Sequence, residues 1–201
     1  MNSGFEFLSK AQLMNKTSYK WRQFGGETIP LTVAEMDYNV SPAIRSALHA
    51  LVEDSDMGYL GLIPELQSSF ANFALRHWNW ELEAASVRVG NDVGAAVGEV
   101  LGVLSKPGDR VLINTPVTNF AKWLEEVGRT PYDVPLLKQG MKYSLDLLGI
   151  ERAFQDGVRI YLLCNPHSPV GANFSQEDLR TVAELADKYG AIVLSDEIHA
   201  P

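Results

Sequence analysis

The run VRIYLLC at residues 158–164 constrains the fold of this chain more than any other segment. It is almost continuously apolar, which is typical of a strand buried on both faces of a parallel sheet. Segments with strand-like and helix-like patterns alternate around it. Because parallel strands need crossover connections, this alternation predicts right-handed βαβ units and a mostly parallel sheet covered by helices on both faces. The sequence therefore predicts an α/β fold.

The alternation begins near residue 87 and continues to the end of the chain. Strands are expected at 87–89, 110–114, 130–134, 158–164 and 191–196, and helices at 91–104, 119–127, 145–154 and 175–189. Asn91 is predicted to cap the first of these helices, and Ser175 opens a capping-box pattern at the last. Earlier residues show helical patterns only, at 41–53 and 64–78. We therefore expect an N-terminal arm and partial small domain over residues 1–40, and the N-terminal part of a large α/β domain over residues 41–201.

Charge and composition exclude several classes of protein. The 201 residues include 17 Lys and Arg against 25 Asp and Glu, a formal net charge of −8, and the basic residues are scattered. Nucleic acids and anionic membranes require a basic face, so neither is an expected partner. The single cysteine, Cys164, cannot form an internal disulfide, and no signal peptide or membrane-length apolar segment occurs, which favours a cytoplasmic protein. Gly94, Gly98 and Gly102 are interpreted as room for close helix packing.

Three segments follow predicted strands at the carboxyl ends, where a parallel sheet collects its chemistry. They are GNDV at 90–93, NPHSPVG at 165–171 and SDEIH at 195–199. The first opens a helix and suits an anion, because free N–H groups and the helix dipole point outward. The second is a rigid turn with two prolines that leaves the Asn165 amide at a strand end, and a purely structural role is as open as a functional one.

The third segment ends a strand with a carboxylate. Along a strand, Asp196 and Ile198 face one way while Glu197 and His199 face the other, so these side chains do not converge on a metal, and no metal site is expected. A carboxylate at the end of a buried strand instead suits a cationic ring nitrogen, because it keeps a nearby base protonated.

Five segments together resemble a known family. They are YKW at 19–21, VAEMDY at 33–38, GY at 58–59, NPHSPVG at 165–171 and SDEIH at 195–199. In this order they resemble the fold-type-I pyridoxal 5'-phosphate (PLP) enzymes of the class I/II aminotransferase family, and most closely its cystathionine β-lyase or carbon–sulfur lyase branch. The resemblance implies a PLP-transferase-like sheet domain of three layers, of the aspartate aminotransferase type.

The resemblance also implies roles for particular residues. Asp196 would pair with the pyridinium nitrogen of PLP, and Asn165 would hydrogen-bond the phenolic oxygen of its ring. The turn at Asn91 and Asp92 would offer backbone N–H groups to the phosphate. Tyr59 would reach the phosphate of the neighbouring subunit in a homodimer. The cofactor ring would then act as the electron sink for a carbanion on an amino-acid substrate.

Three positions depart from the family pattern. Thr118 stands near the place of an aromatic residue that stacks on the ring, after a Thr-Pro start. Asp92 puts a carboxylate at the turn expected to hold a phosphate, and Ser168 replaces the second Asn of the NPxNPxG pattern. The first two changes weaken the expectation of a fully competent cofactor site.

The end of the chain is the largest departure from the family. The Schiff-base lysine of these enzymes lies beyond the SDEIH strand, and every lysine of this chain precedes it. We therefore expect this chain to be the N-terminal part of a longer enzyme. In the family's sheet, two further strands would lie between residues 87–89 and VRIYLLC and would cover the facing edges of both. The expected function is a PLP-dependent carbon–sulfur β-lyase acting on sulfur-containing amino acids. A class I/II aminotransferase and a non-catalytic remnant active only in binding or assembly stay open as alternatives.

Overall fold

A computed structural model describes residues 7–200 of the chain. The helices are α1 Lys10–Met14, α2 Tyr19–Arg22, α3 Pro42–Glu53, α4 Pro64–Trp78, α5 Val93–Leu104, α6 Phe120–Glu126, α7 Leu147–Gln155 and α8 Gln176–Tyr189, with a 3-10 turn at Ala84–Ser86. The strands are β1 Arg110–Ile113, β2 Thr130–Asp133, β3 Leu137–Gln139, β4 Lys142–Ser144, β5 Ile160–Cys164 and β6 Ile192–Asp196. No helix within residues 7–200 is both long and apolar enough to cross a membrane.

The chain divides into two compact units, one up to residue 65 and one from residue 66 onward. Polar contacts organise part of the N-terminal unit: buried Lys20 donates to the Asp37 carboxylate at 2.8 Å and to the Glu35 carbonyl at 2.9 Å. Trp21 donates to the same carboxylate at 2.8 Å. These bonds lower the pKa of Asp37, chiefly through the one from Lys20. The boundary expected at residues 40/41 stays a prediction.

The second unit contains a four-stranded sheet in the order β2-β1-β5-β6, with every neighbouring pair parallel. This arrangement confirms the predicted α/β class. It also corrects one expectation, because β5 is an interior strand, paired with β1 on one side and β6 on the other. Among residues 7–200, β5 therefore has no unpaired edge, and the edge strand beside it is β6. The predicted open edge on VRIYLLC was wrong.

Two predicted local features differ in the structure. Residues 87–89 form no strand, because a strand needs a neighbour to complete its ladder and none of the described strands pairs with them; the Val87 carbonyl instead accepts from the Gln67 side chain at 2.9 Å. The helix predicted from residue 91 begins at Val93 and is capped by Asp92 rather than Asn91. A β3–β4 hairpin, absent from the predicted elements, is also present.

Apolar cores lie on both faces of the sheet. One joins β5 with α7 and α8 through residues such as Ile150, Phe154 and Tyr161. The other joins β1 and β5 with α5 and α6 through residues such as Leu101 and Leu162. Because successive side chains of a strand point to opposite faces, Tyr161 and Leu162 contribute to different cores. This is why the whole of β5 is buried.

The glycine stripe on α5 allows close packing, as predicted. A Cβ on Gly94 would lie 2.8 Å from Trp123 Nε1, and one on Gly98 would lie 3.3 Å from a Val127 methyl group. Both neighbours belong to α6 or the residue that caps its end. Gly102 has open space beside it. The first two glycines therefore bring α5 against α6.

Candidate functional site

The carboxyl ends of β1, β5 and β6 meet at one edge of the sheet. Residues 114–119, which follow β1, are called the β1 loop below, and residues 165–174, which follow β5, the β5 loop. In the register of β5 and β6, Cys164 lies opposite Asp196, and the Asn165 N–H donates to the Asp196 carbonyl at 3.0 Å. The parallel sheet therefore brings Asn165 and Asp196 together although 31 positions separate them in the sequence.

The side chain of Asn165 is oriented by its own loop. Its Oδ1 accepts from the Phe174 N–H at 3.2 Å, which fixes the rotation of the amide. The Nδ2 group has no hydrogen-bond partner among residues 7–200. Asn165 is half-buried, so this edge of the sheet presents one oriented and unused N–H donor.

Asp196 is the last residue of β6. Its Oδ1 accepts from the Ile198 N–H at 3.1 Å, and its Oδ2 has no partner within the described part of the chain. The strand stops here, and residues 197–200 form a turn closed by an Ala200 to Glu197 backbone bond of 2.8 Å. The prediction that Glu197 and His199 point to the opposite face of the strand from Asp196 was therefore wrong, because those residues do not continue the strand.

A groove of about 320 Å³ runs beside Asp196. Its walls are mainly apolar and come from α5, β5, β6 and the residues after β6: Val93, Ala96, Val97, Val100, Leu162, Leu194, Ser195, Asp196, Glu197 and Ile198. The first turn of α5 and the Asp196 carboxylate therefore line one concave surface. Among residues 7–200, no group of three His, Cys, Asp or Glu side chains is arranged to hold a metal ion.

Asp92 itself caps α5. Its Oδ1 accepts from the Ala95 N–H at 2.8 Å, so one first-turn amide is already satisfied by a carboxylate. Asn91 precedes the cap and is exposed. The N–H groups of Val93 and Gly94 have no partner among the described residues and stay available to an anion.

The two departures in the β1 and β5 loops face each other. Thr118 Oγ1 lies 3.5 Å from Ser168 Oγ. The aromatic residues next in sequence are directed elsewhere: Phe120 is buried in the core, and Trp123 packs on Phe120 and against Gly94. The hydroxyl groups of Thr118 and Ser168 therefore lie near the place where the family pattern has an aromatic side chain that stacks on the cofactor ring.

His167 is the buried member of this site that sequence reasoning missed. Its side chain is 1% exposed and packs edge-on against Phe174. Nε2 lies 2.9 Å from the Pro116 carbonyl and Nδ1 lies 3.2 Å from the Cys164 carbonyl. A histidine between two prolines after a buried strand is the only local signal, and it does not reveal the contact with the β1 loop.

Two buried ionisable groups, Cys164 and Tyr161, lie below the loops. Burial raises the pKa of the Cys164 thiol, which donates to the Pro166 carbonyl at 3.4 Å. Burial also raises the pKa of Tyr161 well above its ordinary value. The Tyr161 hydroxyl donates to Asn114 Oδ1, and Asn114 Nδ2 donates to the Val134 carbonyl at 2.8 Å. The last two bonds join the carboxyl ends of β1 and β2 to the Tyr161 side chain of β5.

Tyr59 belongs to the N-terminal unit, between α3 and α4. Its side chain is fully exposed. The contact with a partner subunit's phosphate that the sequence suggested for it stays a prediction.

Comparison with known proteins identifies the class that this sheet and site define. The family described as aminotransferase class I and II matches residues 27–201, and the chain belongs to that family. A Mycobacterium tuberculosis protein, provisionally named a cystathionine beta-lyase, is 36% identical over 98% of this chain and 50% of its own length. The cystathionine beta-lyase PatB of Bacillus subtilis is 29% identical over 96% of this chain and 52% of its own length. The chain thus spans about half the length of the curated relatives it matches.

The folds of solved structures that resemble this chain are consistent with membership of this family. Cystalysin from Treponema denticola, whose crystal structure contains PLP, superposes with a TM-score of 0.86 at 26% identity, covering 96% of this chain and 51% of cystalysin. The likeness confirms the predicted PLP-transferase-like fold. This chain corresponds to about half of the length of cystalysin.

Proposed function

We propose that this chain is the N-terminal part of a PLP-dependent carbon–sulfur β-lyase that acts on sulfur-containing amino acids of the cystathionine or cysteine-conjugate type. The observation that carries the proposal is the pairing of Asn165 and Asp196 at one edge of the sheet, each with an unused polar atom. Membership of the class I/II aminotransferase family and the names of the relatives support the same reading.

The polar atoms of this edge fit PLP at three of its polar groups. The free Oδ2 of Asp196 is a carboxylate oxygen suited to a protonated pyridine nitrogen. The free Nδ2 of Asn165 is a donor suited to the phenolic oxygen. The remaining amides of Val93 and Gly94 at the start of α5 suit the phosphate. When bound, PLP supplies an electron sink for negative charge at the substrate's α carbon.

In this proposal the residues of the chain bind and orient the cofactor. Asp196 holds a proton on the ring nitrogen, because a nearby carboxylate favours the charged form of a base. Asn165 fixes the ring in its plane by a hydrogen bond whose direction is set through Phe174. Residues 41–201 then form the N-terminal part of the large PLP-binding domain, and residues 1–40 form an arm and part of a small domain. The proposed protein is a cytoplasmic homodimer in which Tyr59 contacts the partner subunit's phosphate group.

Two other functions keep specific support. The family name favours an amino-acid transaminase as a second candidate. A non-catalytic binding or assembly role is favoured by Asp92, whose carboxylate occupies the start of α5, and by the Thr118–Ser168 hydroxyl pair. Reading the gene beyond codon 201 separates these candidates, because the enzymes require a lysine after a further strand and the remnant requires a stop.

Substrate chemistry distinguishes a lyase from a transaminase in a longer form of the protein. With cystathionine, a β-lyase releases a free thiol together with a keto acid and ammonia. A transaminase forms a keto acid only when an acceptor keto acid is supplied, and it releases no thiol. Thiol release measured with a chromogenic thiol reagent, with and without an acceptor, decides between them, and failure to release thiol contradicts the lyase assignment.

Asp196 is tested by the protonation state of bound PLP. We expect the absorbance of PLP bound to the 201-residue chain to report a protonated ring to higher pH than in the Asp196→Ala variant. Glu197→Gln is the matched control, since Glu197 is the adjacent carboxylate and, among residues 7–200, its side chain accepts a hydrogen bond only from the Ser195 hydroxyl. Identical titration curves for the wild-type and Asp196→Ala proteins would remove Asp196 from this role.

A further inference from the structure

His167 lies at the centre of the β5 loop and is enclosed by it. Its backbone N–H donates to the Ala172 carbonyl at 2.7 Å, and its carbonyl accepts from the Gly171 N–H at 2.8 Å. The imidazole ring is buried against Phe174. The loop therefore folds back around this one side chain.

The ring of His167 connects segments that are far apart in the sequence. Nδ1 faces the Cys164 carbonyl within its own loop, whereas Nε2 reaches the Pro116 carbonyl, 51 positions away, at 2.9 Å. The second contact is the shorter of the two and joins the β5 loop to the β1 loop. The His167 ring is buried and this hydrogen bond is partly shielded from water, so losing it removes a favourable contact between the two loops.

The groups held by this contact are those of the candidate site. Phe174, against which the His167 ring packs, supplies the N–H that orients the Asn165 amide at 3.2 Å. Thr118 follows Pro116 by two residues and faces Ser168, the residue after His167, at 3.5 Å. Displacing the His167 ring would therefore disturb both the amide donor and the hydroxyl pair.

We propose that His167 is a positioning residue of the PLP site, whose ring fastens the β5 loop to the β1 loop and so holds Asn165 in the geometry that binds the cofactor. The inference rests on the proposed binding of PLP. It adds to that function a residue that touches neither cofactor nor substrate and acts only through Asn165 and the two loops.

Two substitutions separate the contacts of the ring. The amide nitrogen of Gln lies near the place of a histidine Nε2, and that of Asn lies near the place of Nδ1. His167→Gln should therefore keep the donor to Pro116, while His167→Asn should keep only the contact within the β5 loop. His167→Ala removes both. A role limited to filling the core would rank the variants by volume instead.

The first measurement is PLP affinity of the 201-residue chain, by equilibrium dialysis at a temperature where every variant is folded. We expect His167→Ala and His167→Asn to weaken PLP binding by on the order of tenfold, which is the upper end of the range for one lost hydrogen bond. His167→Gln should stay within about twofold of wild type, well below that loss. Unchanged affinity in the Ala variant, with normal wild-type binding, overturns the positioning role and leaves the proposed function standing.

The second measurement is made by NMR and begins with the wild-type chain. In the wild-type chain labelled with 15N and 13C, a through-bond coupling between His167 Nε2 and the Pro116 carbonyl carbon should be detectable by NMR. The Phe120 amide, which donates to the Thr118 carbonyl at 2.9 Å, should exchange with solvent faster in the Ala and Asn variants than in the Gln variant. Absence of the coupling overturns the inference directly. Failure of the wild-type chain to bind PLP, with the coupling present, overturns PLP as the ligand and with it this positioning role.

Discussion

Strands β5 and β6 are neighbours of equal length, yet only one of them is enclosed. All five residues of β5, Ile160–Cys164, are buried, whereas none of the five residues of β6, Ile192–Asp196, is fully buried. Ile192 is 43% exposed, and Leu194 is only partly covered by the core beneath it. The difference follows from position, because β5 has a strand on each side and β6 has one.

The comparison distinguishes the part of the sheet that is covered by helices and paired on both edges from the part that has an unpaired edge. Helices α7 and α8 cover one face of β5, and α5 and α6 cover the other. The apolar groove between α5 and β6 lies on the open side. The end of the open strand also carries Asp196, so the candidate site sits where the enclosed and open parts of the sheet meet.

The largest expected effect comes from truncating the same residue type on each strand. Leu162→Ala on β5 should lower the free energy of unfolding by about 2–5 kcal/mol, because it leaves a cavity in a closed core. Leu194→Ala on β6 should cost about half of that or less, since its surroundings are partly solvent and can relax. Urea unfolding of the 201-residue chain measures both. Equal losses would mean that β6 is as enclosed as β5.

Sequence pattern was sufficient for much of this fold and for part of the site. The run at 158–164 and its flanking helices predicted a parallel sheet, and the ends of β5 and β6 were expected to carry functional side chains. Strand order could not be read locally, because IVLSD of β6 is nearly as strand-like as IYLLC of β5. Which of them becomes the edge depends on pairing between distant segments.

The incorrect predictions also have local physical reasons. Asn91 and Asp92 are both good N-cap residues, so the sequence did not distinguish a helix start one position apart. His167 was missed because its partner, the Pro116 carbonyl, is a backbone group that no sequence motif reports. Residues 87–89 have a strand-like composition, but β propensity expresses a fit to neighbouring strands and not an intrinsic conformation.

The buried polar network under β5 gives the next effect in size. Tyr161→Phe removes the hydroxyl that donates to Asn114 and leaves a buried acceptor, so stability should fall by about 1–3 kcal/mol. Tyr132→Phe on β2 is the control, because its hydroxyl donates to Asp156 at an exposed site. Its loss should be about 0.5 kcal/mol, in the range of exposed contacts. Comparable losses at both positions would show that water reaches the Tyr161 hydroxyl despite its burial.

The thiol at the end of β5 tests the same enclosure by its reactivity. Burial raises the pKa of Cys164, and only the thiolate is alkylated, so at a given pH the folded chain should react more slowly than unfolded chain. We expect iodoacetamide labelling to be about tenfold slower in buffer than in urea at pH 8, and to go on rising with pH beyond the ordinary cysteine pKa of about 8.5, where labelling in urea levels off. The sign follows from the raised pKa, since less thiolate is present at each lower pH. Labelling as fast as in urea would contradict the closed end of β5.

The smallest change in monomer stability, and a direct test of the open strand, is expected at Ile192. An unpaired apolar strand edge recruits other chains, so the 201-residue chain should be associated at low micromolar concentration in sedimentation experiments. The net charge of −8 opposes association, but repulsion between solvated charges is screened beyond about 8 Å at physiological salt, whereas edge pairing acts at contact. Ile192→Lys should shift the chain toward monomer with a stability change within about 0.5 kcal/mol, because lysine on an edge strand blocks pairing at an exposed site. Met141→Lys adds the same charge at an exposed position on the β3–β4 hairpin and should leave association nearly unchanged. A wild-type chain that is already a monodisperse, cooperatively melting monomer would mean that the β6 edge is protected without a further strand. The two strands would then differ in burial but not in their tendency to pair with other chains.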